Sequence, residues 1–137
     1  VGADGIHMET GKDEIAEAVR KHDGKLIVGA GGAKTRQDAL ELGEVQPDYI
    51  FFGRFNYDNT PEPHPRNVGL AEWWAEIVQV PCITLGGSTI ESAETIAKTG
   101  AEFVALSAAI FANDVDPAAA VASTNALLDK VAPSFET

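Results

Sequence analysis

Residues 82–111 begin Cys82-Ile83-Thr84-Leu85-Gly86-Gly87-Ser88-Thr89 and, after a helical pattern at 90–98, end Gly100-Ala101-Glu102-Phe103-Val104-Ala105-Leu106-Ser107-Ala108-Ala109-Ile110-Phe111. The two short apolar runs, Cys82–Gly86 and Phe103–Ser107, suit strands covered on both faces of a parallel sheet. Between them, Thr89–Lys98 reads as a helix capped by Ser88 or Thr89 and stopped at Gly100. Gly86-Gly87-Ser88 lets a backbone approach an anion closely, and Ser107–Phe111 suits a short extra helix whose first N–H groups face outward. Paired anion loops after the last two strands, the second carrying a short helix, are a feature of the (β/α)8 (TIM) barrel.

Upstream, the same rhythm continues. Gly5–Met8, Leu26–Gly29 and Tyr49–Gly53 are further strand-length apolar runs, and the starts at Leu26, Tyr49, Cys82 and Phe103 lie 23, 33 and 21 residues apart. Asp13–Lys21 puts Ile15, Ala18 and Val19 on one face. Thr35–Leu42 begins at a capping threonine and ends near Gly43, and Leu70–Val78 gathers Leu70, Trp73, Trp74, Ile77 and Val78 into one packing stripe. Asp116-Pro117 opens a last helix. Alternating β and α units imply a parallel sheet, closed as a barrel or open and doubly wound; the paired loops favour the barrel. A barrel takes about 200 residues or more, so residues 1–137 read as a single domain holding the last five βα units. The opening Val1-Gly2-Ala3-Asp4, without methionine, reads as a cut chain. A partial barrel leaves an open strand edge and an apolar interior, so a covering chain and a homo-oligomer are expected.

Ten Lys plus Arg against 21 Asp plus Glu give a net charge of -11, which repels phosphate backbones and disfavours nucleic-acid and anionic-membrane partners. No apolar stretch reaches the length of a membrane span and no secretory leader is visible. The lone Cys82, in an apolar run, suits a core position in a reducing compartment. A cytoplasmic protein handling small molecules fits these features.

The most unusual stretch is Arg54–Asn67, with Pro61, Pro63 and Pro65 at alternate positions. Long loops in compact domains are functional or disordered. This one is either a lid bringing Arg54, Thr60, His64 or Arg66 to an anionic ligand, or a solvated interface loop. Arg54 is favoured because it directly follows a strand, at the end where barrel sites are built. Lys34, in Gly29-Ala30-Gly31-Gly32-Ala33-Lys34-Thr35, also follows a strand, without P-loop spacing. His7 reads as a core histidine with its hydrogen bonds satisfied, and His22 as surface. No His/Cys/Asp/Glu cluster has zinc spacing.

Four ordered blocks, Gly2–Met8, Asp48–Gly53, Thr84–Thr89 and Gly100–Phe111, together resemble the thiamine phosphate synthase family across nearly the whole chain. The resemblance implies a (β/α)8 barrel that joins hydroxymethylpyrimidine diphosphate to thiazole phosphate, releasing pyrophosphate, with Mg2+ on the diphosphate. It places thiazole phosphate at Gly86, Gly87, Ser88, Leu106, Ser107 and Ala108, and Thr60 at the second threonine of the family's Thr-x-Thr-Lys loop. Departures accompany it. Asp58 stands at the first threonine of that loop and Pro61 at its lysine. The family's Ser-x-His-Thr is Gly32-Ala33-Lys34-Thr35, so Lys34 and Arg54 become the candidate catalytic cations. The family's acidic Mg2+ ligand falls near Lys12, leaving adjacent Asp13 as a weak candidate.

Three readings follow: the transferase of thiamine biosynthesis; a thiazole tautomerase-like isomerase, which needs a general acid or base near the thiazole; and a catalytically weak or silent phosphate-ligand-binding or regulatory homologue that kept the phosphate cradle. The transferase is preferred, and the losses at Pro61, Gly32 and Lys12 suggest slow turnover.

Overall fold

The computed structural model describes residues 2–132, so Val1 of the quoted opening lies outside the described residues. The elements follow in order β1 (Gly5–Met8), α1 (Lys12–Lys21), β2 (Ile27–Ala30), α2 (Arg36–Glu44), β3 (Tyr49–Phe52), α3 (Pro65–Ile77), β4 (Cys82–Leu85), α4 (Ser92–Ala97), β5 (Phe103–Ala105), α5 (Ala108–Phe111) and α6 (Pro117–Val131). The five strands form one parallel sheet in the order β1-β2-β3-β4-β5.

That order decides between the two architectures. A doubly wound sheet reverses its strand order at a switch point; here spatial and chain order coincide. With right-handed crossovers every connecting helix then packs on the same face. The core shows it: Ile15 and Ala18 of α1, Ala39 and Leu42 of α2, Leu70, Ala71 and Trp74 of α3 and Ile96 of α4 close over Val28, Ala30, Ile50, Phe52 and Cys82 of the sheet. Because strand side chains alternate, the intervening residues lie on the other face: His7, Ile27, Gly29, Tyr49, Phe51, Ile83, Leu85 and Phe103. Ile27 and Phe103 there are 51% and 59% exposed.

Local signals account for most boundaries. Thr35 caps α2 through Asp38 N–H, and Asp116 caps α6 through Ala118 N–H with Pro117 in the first turn. Two helices differ from expectation. α3 starts at Pro65 instead of Leu70, because His64 Nδ1 accepts from Arg66 N–H and Pro65 is preset for the first turn. Its stripe is also narrower: Leu70, Ala71 and Trp74 are buried while Ile77 is 56% exposed and Val78 lies beyond the helix. α4 starts at Ser92, since the carbonyls of Thr89, Ile90 and Glu91 form a tight turn that accepts from the N–H groups three residues on, at Ser92, Ala93 and Glu94. Trp74 meets Phe52 edge-on and donates from Nε1 to the Val80 carbonyl at 2.8 Å. Cys82 is buried as expected, and burial pushes its thiol up to about 11. No helix among the described residues is long and apolar enough to cross a membrane.

Candidate functional site at the carboxyl ends of the strands

β4 and β5 end side by side, which brings their following loops together. Gly86, Gly87 and Ser88 face Ser107 and Ala108 across a narrow cleft whose third wall is Phe55, Asp58 and Asn59 of the β3–α3 loop. The enclosed space is about 10 Å³, room for one water molecule. Leu106 does not line this cleft; it borders a hollow on the α6 side with Ile110 and Val121.

The donors around the cleft fall into two groups. On the β4 side, Gly87 N–H donates to Ser92 Oγ at 2.8 Å, and Ser88 N–H donates to the Thr60 carbonyl at 2.8 Å. Thr89 Oγ1 donates to the Pro61 carbonyl at 3.1 Å. A Cβ at Gly87 would overlap the Thr60–Pro61 backbone, so only glycine permits this docking. On the β5 side, Ser107 caps α5 without a side-chain hydrogen bond, and no acceptor among the described residues takes the N–H of Ser107 or Ala108.

The β3–α3 loop is organised by Asp58, a residue whose carboxylate is 1% exposed. It accepts from Arg54 N–H at 2.8 Å, Asn67 Nδ2 at 3.0 Å and Arg66 Nη2 at 3.1 Å, with Arg54 Nη2 at 3.5 Å. Burial alone would raise its pKa, but the Asn67 and Arg54 hydrogen bonds and the Arg66 and Arg54 charges outweigh that and hold it below the ordinary value. One carboxylate thus gathers both candidate arginines of the loop. Arg54 also lies over the Tyr57 ring at 5.2 Å and is 43% exposed.

The remaining sequence candidates are placed separately. Thr60 Oγ1 donates to the Glu62 carbonyl at 2.9 Å on the exposed side of the loop, and His64 is occupied as the α3 cap. Lys34 is exposed on the β2–α2 loop and is held through its backbone by Asp38. Lys12, near where the resembled family carries an acidic metal ligand, pairs with Glu44 at 3.0 Å. Asp13 is exposed in the first turn of α1, and no group of three His, Cys, Asp or Glu side chains among the described residues could hold a metal. Mg2+ needs only one or two protein carboxylates beside substrate phosphates, and here the position next to Asp13 carries the cationic Lys12, engaged by Glu44.

Sequence reasoning missed one cluster. His7 is exposed instead of core, and its ring is held by Tyr49 Oη on Nδ1 at 2.8 Å and Glu9 Oε2 on Nε2 at 3.0 Å. Strand alternation was the available signal, since His7 and Met8 cannot both face the helices.

Comparison with known proteins agrees with this fold. The family profile described as thiamine monophosphate synthase matches residues 1–110. The thiamine-phosphate synthase of Rhodospirillum centenum is 34% identical over 128 residues, covering 93% of this chain and 62% of the relative. That of Hyphomonas neptunium is 32% identical over 133 residues, covering 96% and 60%. A solved structure titled thiamine phosphate pyrophosphorylase, from Pyrococcus furiosus, superposes with a TM-score of 0.74 at 22% identity, over 94% of this chain and 61% of that one. The chain spans about three fifths of the length of these proteins. On the match over residues 1–110, it belongs to the thiamine monophosphate synthase family.

Proposed function

We propose that the protein is a transferase of thiamine biosynthesis, joining hydroxymethylpyrimidine diphosphate to thiazole phosphate with release of pyrophosphate, and that this chain holds the thiazole-phosphate half of the site. The carrying observation is the convergence of Gly86-Gly87-Ser88 and Ser107-Ala108 on one cleft. The cleft as it stands admits one water, so a phosphate enters as the β3–α3 loop draws back, and the free N–H groups of Ser107 and Ala108 then supply donors for it, in the manner of a helix start. Ser88 N–H becomes a third donor when Thr60 lets it go.

In this reading residues 1–137 form one domain with the last five βα units of a barrel. The uncovered sheet face and the greater length of the relatives support it. Earlier βα units, or a second copy in a homo-oligomer, would cover that face. The setting is cytoplasmic and the ligands are small phosphorylated molecules. Arg54 and Arg66, gathered by Asp58, are the loop groups available to the diphosphate half, with Lys34 exposed on the separate β2–α2 loop. Their task is electrostatic: a preorganised cation beside a departing diphosphate lowers the barrier without becoming covalently involved. Pro61 in place of the family's lysine predicts slow turnover, since losing one such donor costs about 10²–10³ in rate.

A second reading, a phosphate-ligand binder with little or no catalysis, is favoured by the Lys12–Glu44 pair where a metal ligand would stand and by the loop carbonyls on Ser88 and Thr89. Pyrophosphate release by the full-length protein, with both substrates and Mg2+, separates the two. Release that falls sharply in Arg54→Ala supports the transferase. Phosphate binding without release supports the binder.

A further inference from the structure

We propose that the outer seam between α2 and α3 is a docking site for a partner protein that presents a basic amphipathic helix. Leu40 of α2 and Ile77 of α3 are 40% and 56% exposed, and Trp73, one helical turn before Ile77, is partly exposed. Two contacts bring the helices together here. The Arg36 guanidinium lies over the Trp73 ring at 5.3 Å, and a Cβ on Gly43 would meet the far edge of the Trp74 ring at 2.7 Å. Leu40 stands four residues after Arg36 and three before Gly43, so helical spacing puts it on the same flank of α2, toward the two tryptophans.

This strip is not a surface left by an incomplete sheet. α2 connects β2 to β3 and α3 connects β3 to β4, while the edges of the sheet are β1 and β5. α1 packs beside α2 on one side and α4 beside α3 on the other. Chain added at either edge of the sheet therefore leaves the seam in solvent. Single exposed apolar side chains need no explanation, but here three stand together around a tryptophan that an arginine already holds. Trp and Arg dominate binding hot spots, and a ring held in advance loses little freedom on docking.

Charge identifies the occupant. The outermost face of α2 carries Glu41 and Glu44 and that of α3 carries Glu72 and Glu76, all exposed, so the apolar strip runs between two acidic banks. Glu44 is engaged by Lys12, but among the described residues no cation pairs with Glu41, Glu72 or Glu76. A second copy would lay the same acids opposite one another, in a chain of net charge -11. α2 and α3 run the same way, so the strip is narrow and follows the helices, a shape that receives a helix with apolar anchors three and four residues apart. Lysines or arginines beside those anchors then meet both banks. The seam and its charges are independent of the proposed reaction.

The test uses the full-length protein with nitrogen-15-labelled tryptophan, the Trp73 indole signal being identified by its loss in Trp73→Phe. The probe is a peptide of about 18 residues, long enough to hold a helix, with leucines along one stripe and lysines on both flanks; its control carries glutamates in place of the lysines. The lysine peptide is expected to shift the Trp73 signal and to bind about tenfold tighter than the glutamate peptide in low salt. That gap should close near 1 M salt, where the screening length falls to about 3 Å. Ile77→Lys, at an exposed position that leaves the core untouched, should weaken the lysine peptide about tenfold, as for one lost apolar anchor. Glu72→Lys combined with Glu76→Lys should narrow or reverse the preference between the peptides. Equal binding of both peptides, or a Trp73 signal that neither peptide moves, overturns the proposal. So does a Trp73 signal that shifts with protein concentration alone, which would put a second copy on the seam.

Discussion

The amide of Ser88 donates to the carbonyl of Thr60 at 2.8 Å. The β3–α3 loop thereby holds one of the N–H groups that an anion at the end of β4 would use. An anion on the β4 side and docking of this loop would compete for the same donor.

Gly87→Ala should separate them. The added methyl meets backbone, which cannot step aside as a flexible side chain would. The loop is expected to lift, with hydrogen exchange at Ser88 rising and stability falling by about 1–3 kcal/mol, the usual cost of overpacking. Unchanged exchange at Ser88 would contradict the docking.

Ser107→Glu places a carboxylate at the start of α5, opposite Gly86 and Gly87. Repulsion should abolish binding of phosphate and of thiazole phosphate in calorimetry, with the fold intact by circular dichroism. Unchanged affinity would move the anion site elsewhere.

Asp58 makes stability depend on acid. Its folded-state pKa is below the ordinary 3.8, so the unfolded chain binds the proton first as pH falls. The stabilisation is complete above that ordinary value and fades as pH drops through the lowered one. Asp58→Asn should cost about 1–3 kcal/mol at neutral pH, since it weakens hydrogen bonds to charged partners. The gap between the two proteins in denaturant melts should close below about pH 4.

Trp74 and Trp73 are adjacent but unequal. Trp74 is fully buried against Phe52 and hydrogen-bonded to Val80, whereas Trp73 is partly exposed beside Arg36. Trp74→Ala should cost about 3–5 kcal/mol in urea unfolding, and Trp73→Ala clearly less.

Much of the fold was legible. Strand runs, the caps at Thr35 and Asp116 and the core position of Cys82 depend on local spacing and local hydrogen bonds, which the residue order displays directly. The pairing of Gly86-Gly87-Ser88 with Ser107-Ala108 was also readable, because two successive strands in a parallel sheet end at the same side. His64-Pro65 carried the same cap-then-proline signal as Asp116-Pro117 and was hidden by the neighbouring prolines, which made the whole stretch look like loop.

The order of residues by itself determined alternating strands and helices, their parallel arrangement, an acidic surface and the loops that bear the cleft. Only the tertiary structure decided that Asp58 gathers Arg54, Arg66 and Asn67, that Thr60 covers Ser88, and that His7 meets Tyr49 across Gly29. Each of these contacts depends on strand register and on where a long loop comes to rest. Those are settled by packing over the whole sheet, because many distant contacts must be satisfied together before any one of them is fixed.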